Sequence, residues 1–369
     1  MNQLFRWDQM GLFLLALAAG ILPFTVSEVC AAALREGLTL CSGPLLLSLF
    51  PFLVVSRLLI QCPESDLLAL PFRLAAWGIG IRTPCAARVL CIGFLGGFAP
   101  AASAAAQAVR TGQLTAEEAD ALLPACICSG PSFVVLTVGQ SLLGSAELGV
   151  LLFASQITAN YLTAALLNRF AGVRSVKPGS AAPASPAPPR LDEILADAAI
   201  TYCKLCGFIL FFRMLAAGAG ALLPAGAGTL CAILLEVCSG CDLASRTGRW
   251  GSLLCCAALS VQGLSVLLQV RTICPPEMTL RPLYRSRMLH LPLSLALFYL
   301  LLPGGEADVF STLPARVLLM RRVPPDCALL VFAVCCMAAC TLRSGIRQVE
   351  QKQMARNAGG CCINSKTLL

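Results

Sequence analysis

Residues 148–167 read LGVLLFASQITANYLTAALL, a run of 20 residues without a charged side chain. About 20 apolar residues in a helix cover the hydrocarbon core of a bilayer, and a span in lipid must be helical or barrel-like because its backbone groups find no water there. Similar runs, nearly free of charge, occupy residues 12–26, 38–60 and 286–302. The sequence therefore predicts an all-α, polytopic transmembrane helical bundle.

The composition agrees with a membrane protein. Hydrophobic residues make up 57% of the chain and charged residues 12%, about half the charged fraction of a typical soluble domain. The net charge of +8 comes from basic residues that flank the apolar runs, as in positive-inside anchoring. We therefore expect the lipid bilayer as a partner, no nucleic-acid partner, and a multi-pass location in the cell membrane with a cytoplasmic C-terminus. The oligomeric state stays open.

The residues that usually carry metal or catalytic chemistry are scattered or absent. Most of the 21 cysteines lie in apolar runs, where a thiol behaves as a small apolar group. The spacings Cys203-x-x-Cys206 and Cys238-x-x-Cys241 each match half of a zinc site, but the chain has one histidine and no compact set of four ligands. No Ser/His/Asp set or phosphate-binding loop is present. We predict no metal, no cofactor, no catalytic residue and a non-enzymatic protein.

Several apolar runs are interrupted. The run at 86–109 contains three glycines and Pro100, which indicates either a broken helix or close packing of helices through small residues. Ser-Gly-Pro-Ser at 129–132 predicts a second broken helix. In the second half, interruptions fall at 236–240 and 262–265. Broken segments in corresponding halves are a sequence pointer to a transporter-type site near the membrane midplane.

The interruptions suggest two related halves. Cys128-Ser129-Gly130 recurs as Cys238-Ser239-Gly240, 110 residues later. We predict a first transmembrane half at 1–170, a Pro/Ala-rich linker at 171–190, a second half at 191–342 and a basic tail at 343–369. The total is eight to ten spans, the last at about 326–342. Because linker and tail are both basic, they belong on the same side, so one of the five apolar stretches in 198–342 is expected to be re-entrant.

Polar side chains inside the apolar runs are the candidates for function, since they are costly in lipid unless they line a cavity or find partners. Half-helix N-termini near Ser129 and Ser239 would expose unpaired amides that favour anions or polar groups. Glu236 would bind a cation or proton, or pair with Arg246 or Arg249, unless it lies at the membrane interface. The candidate substrate- or ion-binding residues are Gln107, Ser129, Gly130, Ser132, Asn160, Glu236, Ser239, Gly240, Gln262, Ser265 and Gln269.

Several short motifs resemble, in order and spacing, the sporulation integral membrane protein YlbJ family. They are GGFAP at 96–100, AQAVRTGQLTAEEA at 106–119, SGPSF at 129–133 with Val138-Gly139, SVQGLSV at 260–266 with Gln269, and RPLYRSR at 281–287. The match covers about residues 85–290. The chain departs from that pattern where relatives read Ser-Val-His-x-Gln, because it has no histidine there.

The resemblance implies a polytopic protein of spore-forming Firmicutes with a Gate, or nucleoside-recognition, domain. Such domains also occur in nucleoside and ferrous-iron transporters, and the family is similar to proteins needed for the spore cortex. It supplies no catalytic residue. The expected function is therefore a sporulation-associated membrane protein that moves a small polar solute. Two alternatives remain: a nucleoside or ion transporter not tied to sporulation, and a structural membrane scaffold that transports nothing.

Overall fold

The computed structural model describes residues 2–61, 63–172 and 190–302, and every regular element in these ranges is a helix. The predicted linker residues 173–189, the predicted last span and the basic tail lie outside the described residues. In chain order, the helices are α1 (Asn2–Thr25), α2 (Ser27–Ser42), α3 (Pro44–Gln61), α4 (Leu70–Gly78), α5 (Pro84–Gly96), α6 (Phe98–Arg110), α7 (Ala116–Cys126), the π-helix π1 (Ser132–Leu142), α8 (Ala146–Ala171), α9 (Leu191–Leu222), α10 (Ala225–Leu235), α11 (Val237–Ser245), α12 (Gly251–Val261), α13 (Gly263–Ile273) and α14 (Arg281–Leu301), with short 3-10 turns at Pro63–Asp66 and Gly248–Trp250.

Four stretches of the described chain are long and apolar enough to cross a membrane. They are Ser27–Ile60, Ala146–Ala171, Leu191–Leu222 and Gly248–Ile273. Large apolar side chains such as Phe24, Phe170 and Leu300 are exposed on the outside of the bundle, where lipid would cover them. The prediction of an all-α membrane protein is confirmed.

Helices α5 and α6 form a hairpin that reverses at Gly97. Gly93 and Ala101, four residues to either side of the tip, are in contact, since a Cβ built on Gly93 would lie 3.2 Å from the Cβ of Ala101. The tip needs glycine because Gly97 has φ +80° and ψ −163°, a region that side chains disfavour strongly. Both sequence readings therefore apply: the helix is broken, and small residues let its two arms pack.

A second hairpin, made of α10 and α11, reverses at Glu236. A Cβ on Gly240 would lie 2.8 Å from the Cα of Ile233, which places the two arms side by side. Gly240 is thus a packing residue, not part of an open helix N-terminus. This hairpin lies within the second half, where one re-entrant stretch was expected.

Each hairpin tip packs against a break in the helix that follows it. A Cβ on Gly97 would lie 2.7 Å from the amide nitrogen of Gly130, in the break between α7 and π1. In the second half, a Cβ on Gly263 would lie 3.0 Å from the amide nitrogen of Glu236. Gly263 follows Gln262, whose φ of +66° interrupts α12 and α13. The order hairpin, broken helix, long helix therefore occurs twice.

The repeated Cys-Ser-Gly tripeptide does not mark equivalent positions in this order. Cys128-Ser129-Gly130 lies in the broken helix of the first half, whereas Cys238-Ser239-Gly240 follows the hairpin tip of the second. By element order, Gly97 corresponds to Glu236, and Gly130 corresponds to Gly263. Each copy of the tripeptide lies next to a break in its half, but the two copies occupy different positions in the repeated order of elements.

Contacts along helix α9 show that the open ends of the two hairpins lie at opposite ends of the bundle. Near its start, Asp197 lines a cavity together with Arg110, the last residue of α6. Near its end, Gly220 packs on Gly228 of α10, where a Cβ on Gly228 would lie 3.0 Å from the Cα of Gly220. At a helical rise of 1.5 Å per residue, Asp197 and Gly220 lie about 35 Å apart along α9. This distance is close to the thickness of the hydrocarbon core. The hairpins thus enter from opposite ends and their tips meet in the middle, as in inverted repeats.

Candidate functional site

The two hairpin tips and the two broken helices converge on one cavity, which we call the central cavity. Its volume is about 60 Å³, and both apolar and polar side chains line it. The lining residues are Leu45, Leu49, Leu95, Gly96, Phe98, Ser129, Gly130, Ser132, Phe133, Ile209, Glu236, Val237, Cys238, Val266 and Gln269. Five of the predicted site residues, Ser129, Gly130, Ser132, Glu236 and Gln269, therefore share one site.

The breaks in the two halves are joined directly by a polar contact. Nε2 of Gln262 donates to the carbonyl of Leu259 at 2.6 Å and reaches Oγ of Ser129 at 3.4 Å. Oε1 of Gln262 is buried without a hydrogen-bond partner. A buried carbonyl oxygen without a partner is costly, which makes Gln262 an unusual residue to find behind the cavity wall.

Glu236 caps the second half-helix of its hairpin. Its Oε1 accepts from the amide of Cys238 at 2.8 Å and its Oε2 from the amide of Ser239 at 2.7 Å. The side chain is buried within the protein, with 2% of the residue exposed. The expectation of free amides at Ser239 is wrong, because the carboxylate already occupies them.

The arginines predicted as partners of Glu236 have other contacts. Arg246 forms an ion pair with Asp242 one turn earlier at 2.6 Å. The guanidinium of Arg249 lies 5.1 Å from the ring centroid of Trp250. Both side-chain oxygens of Glu236 therefore accept from backbone amides at the start of α11, an arrangement that helix N-termini favour for carboxylates.

Gln269 connects the central cavity to a second cavity, which we call the vestibule. Its Nε2 donates to Oγ of Ser265 at 2.9 Å, whereas its Oε1 is buried without a partner. The vestibule has a volume of about 160 Å³ and opens at the end of the bundle where α9 begins. Its lining residues are Arg57, Ser103, Ala106, Arg110, Asp197, Ile200, Thr201, Lys204, Leu205, Phe208, Gln269, Thr272 and Ile273.

The remaining predicted residues lie near the cavity wall or away from it. Gln107 is half-buried on α6 and lines neither cavity. Gln262 and Ser265 stand behind the wall and hold Ser129 and Gln269 by the contacts given above. Asn160 is also behind the wall: its Nδ2 donates to the carbonyl of Ile127, the residue after α7, at 3.3 Å.

A buried arginine that the sequence reading missed completes this outer layer. Nη2 of Arg287 donates to Oδ1 of Asn160 at 3.1 Å, and its Nη1 lies 3.4 Å from the carbonyl of Ser260. Arg287 belongs to none of the ion pairs in the described part of the chain. It sits behind the C-terminal ends of α7 and α12, the two half-helices that stop at the breaks. One positive charge therefore faces the negative ends of both half-helix dipoles.

Arg287 was missed because the apolar run in this region was placed at 286–302, so that Arg287 stood at the edge of the predicted span. Helix α14 instead begins at Arg281, with Pro282 in its first turn, a favoured place for proline. Arg287, His290 and Ser294 then follow one another at i, i+3 and i+7 on one buried face. That spacing was the signal available in the sequence.

No protein family, no curated protein and no solved structure matches this chain. Among the described residues, no three histidine, cysteine or acidic side chains come together as a metal site would require.

Proposed function

We propose that this protein is a multi-pass transporter that binds a small polar solute in the central cavity and moves it across the cell membrane. The observation that supports this most is the convergence of two opposed hairpin tips and two broken helices on one cavity. Irregular backbone is tolerated at membrane depth only where protein buries it or a cavity lies beside it. Inverted repeats with a site between them are the architecture of many secondary transporters.

The unsatisfied polar atoms favour a binding site over a scaffold. Oε1 of Gln262 and Oε1 of Gln269 are both buried acceptors without partners. Ser129 and Ser132 place hydroxyl groups in the same wall. An unsatisfied buried acceptor costs about 1–3 kcal/mol, and a bound solute that donates a hydrogen bond to Gln269 in the cavity wall would offset that cost.

The orientation we propose places the start of α9 in the cytoplasm. Arg169, Arg174 and Lys177 precede this end of the helix, and Arg57 and Lys204 lie close to it. Basic residues near membrane ends favour the cytoplasmic side. A further span at about 326–342 would then return the basic tail to the cytoplasm.

Flux through proteoliposomes tests the transport proposal. The full chain is reconstituted and tested with labelled uridine, adenosine, alanine and inorganic phosphate. We expect saturable flux of at least one solute, and Gln269→Leu should lower it about tenfold, since a lost hydrogen bond of about 1.4 kcal/mol corresponds to a factor of ten.

Gln140→Leu is the matched control, because the same change is made at an exposed π1 residue that lines neither cavity. Flux no faster than in protein-free vesicles, from a preparation with native helical circular dichroism, would contradict the proposal and favour a scaffold.

The sporulation role is proposed from the motifs alone. If the protein acts in spore formation, deletion of its gene in a spore-former should lower the count of heat-resistant spores, and re-expression should restore it. Normal spores would leave a transporter without a sporulation role.

A further inference from the structure

The vestibule carries an excess of positive charge. Three of its lining residues, Arg57, Arg110 and Lys204, are cationic, and one, Asp197, is anionic. Asp197 is already paired with Arg57. Arg110 and Lys204 are exposed and form no ion pair with any described residue, so within the described part of the chain two positive charges line the cavity without a paired acidic side chain.

Neutral hydrogen-bonding groups continue this surface inward. Ser103 is 3% exposed, lines the vestibule one turn inside Ala106, and makes no hydrogen bond to another described residue. Its hydroxyl is therefore free to donate. Gln269, also buried, closes the inner end and reaches the central cavity. A buried hydroxyl that lines a cavity and is not held by another protein group can donate a hydrogen bond to a ligand there.

Lipid anchoring explains these charges less well. Arg110 and Lys204 are exposed, as anchoring residues are, but anchoring residues have no need to converge on one cavity. Here the cations come from three different helices, α3, α6 and α9, and share one cavity with the buried Ser103 and Gln269. A cleft lined by one sign of charge concentrates the opposite ion by about 10- to 1000-fold.

We propose that the vestibule is an anion-binding passage and that the transported solute carries a phosphate or carboxylate group. This rests on the proposed function. Arg110 and Lys204 attract the anionic group from the cytoplasmic side, and Ser103 donates a hydrogen bond to it. The rest of the solute then passes Gln269 into the central cavity.

Charge-selective labelling tests the vestibule without knowledge of the solute. Ser103→Cys, a near-isosteric change, is labelled in membranes with an anionic and a cationic methanethiosulfonate of similar size. Mass spectrometry reads modification of the peptide that contains position 103, so native cysteines do not interfere. Each rate is divided by the rate with free 2-mercaptoethanol.

We expect the normalised rate of the anionic reagent to exceed that of the cationic reagent about tenfold or more. The ratio should fall toward one in the Arg110→Gln/Lys204→Gln background and at high salt, which screens exposed charges. Millimolar inorganic phosphate or acetate should slow labelling by the anionic reagent. The competitor that slows it more indicates whether the solute carries a phosphate or a carboxylate group. Glu117→Cys, exposed on the next helix and lining neither cavity, is the control position.

A ratio at or below one would overturn the inference, and so would a position 103 that neither reagent reaches. Either result would leave the transport proposal standing if the flux assay finds a neutral or cationic solute. Conversely, an anion-selective vestibule without flux of any solute would count against transport alone.

Discussion

Gly97→Ala is expected to unfold or severely destabilise the protein at its centre. The backbone at Gly97 lies in a region costing about 1–3 kcal/mol for other residues, and overpacking adds about 1–3 kcal/mol. The new methyl group would stand 2.7 Å from the amide nitrogen of Gly130, a backbone atom that cannot rotate away. We expect a large fall in the thermal unfolding midpoint in detergent and loss of flux from whatever folds.

Gly144→Ala is the control that shows how much of the effect comes from backbone strain and how much from the close contact of the added methyl group. Gly144 also has a positive φ, +74°, but nothing lies within 4 Å of a Cβ built there. This variant should lose only the strain contribution and keep its flux. Equal effects of the two substitutions would mean that the hairpin tip does not pack on the break between α7 and π1.

Glu236→Leu is expected to have the second large effect. It removes both acceptors from the amides of Cys238 and Ser239 in a buried tip, and each orphaned amide costs about 1–3 kcal/mol. The tip of the second hairpin should then no longer be held in place. We expect a lower thermal unfolding midpoint and at least a tenfold loss of flux.

Glu236→Gln distinguishes two roles of the carboxylate: capping the helix by hydrogen bonds, and supplying a negative charge. Glutamine keeps the size and one acceptor oxygen but removes the charge. If the carboxylate acts mainly as a cap, Gln retains part of the stability and much of the flux that Leu loses. A Gln variant that is as stable as the parent but transports nothing would instead assign Glu236 to a bound cation or proton.

The helical membrane fold could be predicted from the sequence because run length and charge depletion are local properties. The interruptions were also local, since glycine, proline and a polar residue such as Glu236 stand out in an apolar run. Their convergence could not be predicted, because contact between Gly97 and Gly130, or between Gln262 and Ser129, depends on how distant segments pack.

The polar contacts also divide into those with a local sequence signal and those that depend on how distant segments pack. A carboxylate at the start of a half-helix is a capping signal, yet the alternatives considered for Glu236 were a bound cation or proton, an ion pair with Arg246 or Arg249, and a place at the membrane interface. Arg287 was missed because proline and arginine at the start of α14 have the composition of a loop. The cations of the vestibule were not among the predicted site residues, since their spacing in sequence does not reveal that three helices bring them together.

The central claim is that the two hairpins enter the membrane from opposite faces, and single-cysteine accessibility tests it most directly. Glu117 follows the first hairpin and Arg249 follows the second; both are exposed. In sealed vesicles of one known orientation, with labelling read peptide by peptide, a membrane-impermeant thiol reagent should modify Glu117→Cys from the cytoplasmic face and Arg249→Cys from the opposite face. Modification of both positions from the same face would contradict the inverted arrangement and, with it, a site formed where the two tips meet.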